Sequence, residues 1–154
     1  MNILFVCTGN VSRSFLAETL MREEIRARKL KDVSIASAGV HAYSGSPPDP
    51  LIVEYLEKRG ILVQGHAARQ MTAQEAEWAD LILVMENRHM RMIEESWPEM
   101  KSKVALLMTY TAVAPGVEEI IDPFGRTTYH YRLAEAQIDM AVRALGKSLS
   151  ASDN

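Results

Sequence analysis

Apolar residues along this chain form short continuous runs that alternate with longer stretches in which they recur every three or four positions. A continuous run such as Ile3–Val6 is typical of a strand buried on both faces, whereas recurrence every three or four residues indicates one apolar face of an α-helix. The pattern therefore predicts strands and helices in alternation. The predicted strands are Ile3–Val6, Val33–Ala36, Asp80–Met85 and Lys103–Leu106, and the predicted helices lie near residues 14–29, 49–59, 86–95 and 129–147.

This alternation predicts an α/β fold in which helices cover both faces of a parallel sheet. The chain has 154 residues, of which 47% are hydrophobic, and this is enough for one well-buried core. No linker rich in Pro, Gly or Ser divides it. We therefore predict one domain over residues 1–147, followed by a frayed tail over residues 148–154, where the side chains are mostly small and polar.

The net charge of −3 gives no general attraction for nucleic acid or for an anionic membrane. No apolar run approaches the ~20 residues of a membrane span, and the N-terminus lacks the basic region of a signal peptide. We therefore expect a cytoplasmic protein without nucleic-acid or membrane partners. The oligomeric state is left open by the sequence.

The chain contains a single cysteine, which excludes an internal disulfide or a cysteine-based metal cluster. The histidines also lack the paired spacing of metal ligands. We therefore predict no metal and no cofactor. The histidines are His41, His66, His89 and His130.

That cysteine, Cys7, opens an eight-residue loop between the first predicted strand and the first predicted helix. We call residues 7–14 the phosphate loop, because successive N–H groups of such a turn, together with the start of a helix, can bind a phosphate or a similar oxyanion. The same field favours a thiolate, which is a nucleophile. The alternative is a buried structural cysteine, the usual state of a lone cysteine in a cytosolic protein.

Other residues of the phosphate loop fit this interpretation. Arg13 carries a planar guanidinium that can hold two phosphoryl oxygens. Gly9 allows close backbone approach or a positive φ, and Asn10 tolerates a left-handed conformation. Ser14 can cap the helix or donate to the thiolate of Cys7. The remaining members of the predicted phosphate-binding loop are Thr8, Val11 and Ser12.

Four segments, in order along the chain, resemble the low-molecular-weight protein tyrosine phosphatase family. They are the Cys-Thr-Gly-Asn-x-x-Arg-Ser motif that begins at Cys7, the Ser-Ala-Gly segment at Ser37, the His-Ala-Ala-Arg-Gln segment at His66 and the Asp-Pro-Phe-Gly segment at Asp122. This resemblance implies a three-layer sandwich with a four-stranded parallel sheet of order 2-1-3-4. It also implies a phosphorylated protein as substrate.

Asp122 is the candidate general acid, since it lies in a loop before the last predicted helix and Pro123 restricts its backbone. The alternative is an ordinary Asp-Pro turn. The resemblance further implies that Ser37 and His66 join Asn10 and Ser14 in a hydrogen-bond network that supports the phosphate loop. It also implies that Tyr43 and Phe124 line the substrate entrance.

Two residues depart from the family pattern. Ser12 occupies a position where many members carry a second cysteine, so a protective disulfide with Cys7 is impossible here. Phe15 replaces a proline that usually follows the loop serine, and it could alter the start of the helix or add a wall to the pocket.

The leading functional hypothesis is hydrolysis of phosphotyrosine in proteins through a Cys7-phosphoryl intermediate. Protein-arginine phosphatase is the alternative on the same scaffold, but those enzymes favour threonine where this loop has Val11, and valine suits an aryl ring. Arsenate reduction is a weaker alternative, because it passes oxidation to further cysteines. A non-catalytic phosphoprotein-binding module is also weaker, because binding alone needs neither a thiolate nor an acid.

Overall fold

The computed structural model describes residues 1–63, 65–112 and 114–152. Four parallel strands form a sheet of order β2-β1-β3-β4, which confirms the predicted fold class and strand order. The strands are β1 (Asn2–Cys7), β2 (Ser34–Gly39), β3 (Leu81–Val84) and β4 (Val104–Leu106). The α-helices are α1 (Arg13–Arg28), α2 (Pro50–Lys58), α3 (Ala73–Trp78), α4 (Asn87–Ser96) and α5 (Thr128–Ser152), and two 3-10 helices flank β4 at Pro98–Lys103 and Leu107–Tyr110.

Strand β1 lies inside the sheet and divides the core into two layers, because successive side chains of a strand point to opposite faces. Ile3 and Phe5 pack with helices α1, α2 and α5. Leu4 and Val6 pack with α3 and α4 on the other face. The sheet is therefore covered on both sides, as a parallel sheet requires.

Helix α3 was not predicted, because six residues are too few to establish a helical period. The signal that could have found it is a capping box, in which a Glu three residues after a Thr binds back to the N-terminus of the helix. The backbone N–H of Thr72 does donate to the carboxylate of Glu75 at 2.9 Å.

Helix α5 continues to Ser152, beyond the predicted end at residue 147. Residues 148–152, predicted as part of a frayed tail, are thus helical, and Leu149 packs against the core among them. Residues 153 and 154 of that predicted tail lie outside the described residues. The single-domain boundary itself stays a prediction. Among the described helices, none combines the length and the apolar composition needed to cross a membrane.

The fold places the phosphate loop at the carboxyl end of β1, and its last two residues, Arg13 and Ser14, begin α1. The register pairs Cys7 with Gly39 of β2. Backbone N–H groups of Val40 and His41 donate to the carbonyl oxygens of Cys7 and Thr8, each at 2.9 Å. The loop is therefore fastened to the segment that follows β2.

Candidate active site

A cavity of about 550 Å³ opens above the phosphate loop. Its floor includes Cys7 and Arg13, and its walls include Asp122. The structure thus brings the predicted nucleophile, phosphate clamp and acid to one cavity. The other lining residues are Thr8, Gly9, Val11, Ser12, His41, Tyr43, Ser46, Pro47, Pro48, Asp49, Pro50 and Phe124.

Cys7 is buried, with 3% of its surface exposed, yet it borders this cavity. Its Sγ lies 3.0 Å from the hydroxyl oxygen of Ser14 and accepts from the backbone N–H of Asn10 at 3.3 Å. The N-terminus of α1, at Arg13, adds the positive end of a helix dipole. Two hydrogen-bond donors and the N-terminus of a helix thus meet at the sulfur of Cys7.

Asn10 connects the phosphate loop to its surroundings, and its contacts define the orientation of its side-chain amide. The Oδ1 atom accepts from the backbone N–H of Arg69 at 3.0 Å, which leaves Nδ2 as the double donor. Nδ2 donates to Ser14 Oγ at 2.8 Å and to Ser37 Oγ at 2.9 Å. Ser14 therefore accepts from Asn10, and its own hydrogen is available for the sulfur of Cys7.

The same network extends to a buried carboxylate and to a histidine. Ser37 Oγ donates to Glu18, a residue that sequence reasoning missed. His66 Nε2 donates to the backbone oxygen of Asn10 at 2.7 Å. Ser14, Ser37 and His66, the three residues expected to join Asn10 in the network, thus each form a hydrogen bond with Asn10.

The structure bears out the left-handed conformation expected for Asn10 but not the special backbone role expected for Gly9. Asn10 adopts the left-handed conformation, with φ of 57°, whereas Gly9 is not among the described residues that have a positive φ. A Cβ atom on Gly9 would lie 3.9 Å from Val11 Cγ2, which is an ordinary contact. The close approach occurs instead at Gly39, where a Cβ atom would lie only 2.5 Å from the carbonyl oxygen of Thr8 and 3.1 Å from the backbone N of Asn10.

Arg13 is the largest fully buried side chain of the structure, with 2% of its surface exposed. Its Nη1 donates to Glu86 Oε2 at 2.7 Å and to the backbone oxygen of Ile120 at 2.8 Å. Its Nη2 lies 3.6 Å from Asp122 Oδ2. Burial opposes ionisation of Glu86, but the charge of Arg13 and its hydrogen bond outweigh burial and lower the pKa of Glu86. A buried guanidinium is therefore matched by an ionised carboxylate.

Residues that follow β3 contribute a further cluster that the sequence analysis did not identify. Thr8 Oγ1 accepts from Arg88 Nη2 at 2.8 Å and contacts His89 Nε2 at 2.9 Å. The backbone N–H of Glu86 donates to His89 Nδ1 at 3.1 Å, so Nδ1 is the acceptor and Nε2 carries the hydrogen. Burial, with the charge of Arg13 nearby, lowers the pKa of His89 to about 3. His89 is therefore neutral at physiological pH and donates to Thr8.

A second missed cluster lies beneath the other side of the loop. Asp49 is buried and accepts from Ser12 Oγ at 2.7 Å and from the hydroxyl of Tyr131 at 2.6 Å. Its other oxygen caps α2 by accepting from the backbone N–H of Leu51 at 3.0 Å. Burial and the bond to Asp49 raise the pKa of Tyr131. Ser12, which stands where many family members have cysteine, is thus tied to α2 and α5.

The exposed side of the cavity is formed by Asp122 and by two aromatic residues, Tyr43 and Phe124. Asp122 Oδ1 accepts from the backbone N–H of Phe124 at 3.2 Å, which sets the direction of the carboxylate. The aromatic rings of Tyr43 and Phe124 both border the cavity and are mostly exposed. The structure therefore places each residue of the predicted site either in the lining of this cavity or in the hydrogen-bond network around Asn10.

The missed residues carry no local signature, because an isolated Glu, Asp or Tyr is more often a surface or packing residue. One signal could have indicated Glu86, Arg88 and His89: they follow directly after the predicted strand Asp80–Met85. Ligand sites of parallel sheets form at the carboxyl ends of strands. Within the described ranges, no group of three or more His, Cys, Asp or Glu residues is placed to hold a metal ion.

Comparison with known proteins agrees with this geometry. The family model described as "Low molecular weight phosphotyrosine protein phosphatase" matches residues 2–154. The low molecular weight protein-tyrosine-phosphatase Etp of Escherichia coli K12 is 32% identical over 149 residues, which are 97% of this chain and 95% of Etp. The protein-arginine-phosphatase of Bacillus subtilis strain 168 is 34% identical over 149 residues, 97% of each chain.

A solved structure of the YwlE arginine phosphatase, in a mutant form with a phosphorylated active-site serine, superposes with a TM-score of 0.88 at 32% identity. The match covers 97% of this chain and 95% of that structure. The family model spans nearly the whole chain, and both curated relatives exceed 30% identity over almost their full lengths. This chain therefore belongs to the low molecular weight phosphotyrosine protein phosphatase family.

Proposed function

We propose that this protein hydrolyses phosphotyrosine in protein substrates, with Cys7 as nucleophile, Arg13 as phosphate clamp and Asp122 as general acid and base. The observation that carries the proposal is the placement of all three side chains around one cavity whose remaining walls are largely apolar or aromatic. Inorganic phosphate is expected to occupy the phosphate loop as product.

In the first step, Cys7 Sγ attacks phosphorus and the bond from phosphorus to the tyrosine oxygen breaks. The hydroxyl of Ser14 and the N–H of Asn10 are both placed to donate to the attacking sulfur. Arg13 is anchored through Nη1, so the edge formed by Nη2 and Nε is the part that contacts the phosphoryl oxygens. Asp122 gives its proton to the departing oxygen, which avoids expulsion of a phenolate with a pKa of ~10.

In the second step, water attacks the phosphorus of the Cys7-phosphoryl intermediate. The Asp122 carboxylate takes a proton from that water, and the bond from sulfur to phosphorus breaks. Phosphate and the Cys7 thiolate are the products, so the enzyme returns to its starting state. The relative with a phosphorylated active-site serine supports a covalent intermediate at the corresponding loop.

The choice of tyrosine over other phosphorylated residues rests on the upper part of the cavity. Val11 presents methyl groups at its edge, and the rings of Tyr43 and Phe124 flank the opening with Pro47 and Pro48. These surfaces suit a flat aryl ring that buries apolar area.

Arginine phosphatase activity is the second candidate, favoured by the 34% identity to the Bacillus subtilis enzyme. A phosphoarginine side chain presents guanidinium N–H groups, which need acceptors. Val11 offers none, and the Asp49 oxygens already accept from Ser12, Tyr131 and Leu51, so the Asp122 carboxylate is the acidic acceptor left in the cavity wall. A hydroxyl at position 11 would add a second acceptor, and its absence is the reason that we rank the arginine activity second.

The test compares one peptide carrying phosphotyrosine with the same peptide carrying phosphoarginine. For wild type we expect a higher kcat/KM on phosphotyrosine. Val11→Thr should shift the ratio towards phosphoarginine, while Val11→Ala, which removes volume without adding a hydroxyl, should not. A wild-type protein that strongly prefers phosphoarginine would overturn the substrate assignment.

Two further variants test the chemistry. Cys7→Ser should show no turnover and no burst of product, because the thiolate is absent. Asp122→Ala should lower kcat by ~10²–10⁴-fold on phosphotyrosine. Turnover retained by Cys7→Ser would overturn the mechanism. The cytoplasmic location, the lack of nucleic-acid and membrane partners and the lack of a cofactor stay predictions.

A further inference from the structure

Phe15, the residue that departs from the family's usual proline, contacts the ring of His66. The two ring centroids lie 4.4 Å apart and the planes are inclined by 32°. Phe15 lies in the first turn of α1, two residues after Arg13, and has 3% of its surface exposed. Its position is therefore set by the helix and by the core.

His66 lies in a segment without regular secondary structure. Among the residues that the structure describes, no backbone-to-backbone hydrogen bond involves His66. The orientation of its imidazole therefore depends on its side-chain contacts, which are the ring of Phe15 and the hydrogen bond from Nε2 to the backbone oxygen of Asn10. A tilted contact between two rings at this distance is favourable, so it adds to the hydrogen bond in setting the orientation of the imidazole.

The hydrogen bond from His66 acts at the left-handed residue of the phosphate loop. Asn10 has a φ of 57°, a conformation that most L-residues avoid and asparagine tolerates, and the hydrogen bond from His66 supports its backbone there. The N–H of the same residue donates to Cys7 Sγ at 3.3 Å. A shift of the Asn10 backbone would therefore reach the nucleophile directly.

We propose that Phe15 is a positioning residue for the phosphatase reaction, which orients the His66 imidazole so that it holds Asn10 in the conformation that stabilises the Cys7 thiolate. This inference rests on the proposed function. The effect is transmitted from ring to ring, then to the loop backbone and finally to the sulfur.

The test uses Phe15→Leu, which keeps apolar volume but removes the flat ring, and a matched control, Phe5→Leu, in the same core layer on β1. We expect Phe15→Leu to lower kcat on 4-nitrophenyl phosphate by roughly tenfold, as contacting residues are coupled to this extent. Alkylation of Cys7 by iodoacetamide should reach half its maximal rate at a higher pH. Phe5→Leu should lower the Tm without moving the alkylation profile.

A double-mutant cycle with His66→Ala distinguishes positioning from packing. If Phe15 acts through His66, the kcat of the double variant should lie within twofold of the kcat of His66→Ala alone. Additive losses in kcat, or equal shifts of the alkylation profile in Phe15→Leu and Phe5→Leu, would overturn the proposal. Alkylation of Cys7 needs no turnover. A wild type without phosphatase activity would therefore overturn the proposed function, and the alkylation profile would still test the role of Phe15.

Discussion

The floor and the rim of the cavity are built in opposite ways. On the floor, Cys7 and Arg13 have at most 3% of their surface exposed, and Cys7 Sγ and Arg13 Nη1 each have two hydrogen-bond partners. At the rim, Tyr43 is 79% and Phe124 62% exposed, and the Asp122 side chain is 42% exposed. The floor is thus held by buried hydrogen bonds, whereas the rim is free to adjust.

This difference in burial indicates which residues carry out the reaction and which select the substrate. A buried polar network tolerates little change, because each lost partner leaves an unpaired group in a region of low dielectric constant. Exposed aromatic side chains contribute contact area instead, and their loss leaves nothing unpaired. Changes on the floor should therefore impair catalysis itself, while loss of the exposed aromatic rings at the rim should alter substrate affinity. Asp122 is the exception at the rim, because it is proposed to transfer protons in both steps.

Among the variants that compare the floor with the aromatic rim, Arg13→Lys should have the largest effect. An ammonium cannot reproduce the paired bonds to Glu86 and the carbonyl of Ile120 while also contacting the phosphoryl group, so we expect kcat to fall by roughly 10³-fold. Steady-state kinetics on an aryl phosphate measures this loss. The matched control is Arg59→Lys, which changes a surface pair with Asp139 and should leave kcat within twofold of wild type. A similar kcat for Arg13→Lys and wild type would contradict the rigid floor.

The next effect should come from Gly39→Ala. The added Cβ would lie 2.5 Å from the carbonyl oxygen of Thr8, so the phosphate loop must shift, and we expect kcat to fall by roughly 10²-fold. Overpacking should also cost about 1–3 kcal/mol of unfolding free energy. Gly9→Ala is the matched control for stability, because its Cβ fits, and its unfolding free energy should stay within about 0.5 kcal/mol of wild type. Equal stability losses in both variants would contradict this assignment.

A smaller effect concerns the pH dependence of stability. The pKa of His89 is lowered to about 3 in the folded protein, while the ordinary value is ~6.5, so the unfolded chain binds the extra proton between these values. The contribution of a neutral His89 is therefore present above pH ~6.5 and is lost as the pH falls, by about 2 kcal/mol at pH 5.

Urea unfolding of wild type and His89→Gln at pH 7 and pH 5 measures this effect. Glutamine can still accept from the N–H of Glu86 and donate to Thr8, but it does not titrate. The variant should therefore lose about 2 kcal/mol less than wild type between the two pH values. Equal losses would show that His89 is not buried in its neutral form.

The smallest effect should come from the rim. Phe124→Ala and Tyr43→Ala remove exposed rings that flank the cavity, so we expect KM for a phosphotyrosine peptide to rise by roughly 3–10-fold with little change in kcat. Tyr129→Ala, which removes an equally exposed ring that does not line the cavity, is the control. A large fall in kcat for Phe124→Ala would place that ring on the catalytic floor instead.

Much of the fold could be predicted because its signals are local. Strands β1, β3 and β4 are short apolar runs, and the phosphate loop is a contiguous motif, so their prediction needs no knowledge of distant residues. Strand β2 (Ser34–Gly39) mixes small residues with serines, and the predicted strand Val33–Ala36 covered only its first half. Helix α3 escaped because its six residues are shorter than two helical turns. The extension of α5 to Ser152 escaped because small polar residues suggested fraying, whereas Leu149 packs against the core and stabilises that last part of the helix.

The sequence by itself determined the order of strands and helices, the nucleophile Cys7 with its loop, and the family to which the chain belongs, because these reside in contiguous residues. Only the tertiary structure decided which partners complete the site. Glu86 reaches Arg13 across 73 positions and Tyr131 reaches Asp49 across 82, and such contacts depend on how the sheet and helices pack. Gly39 likewise matters because the phosphate loop packs directly against it, and no pattern in the neighbouring residues indicates that contact.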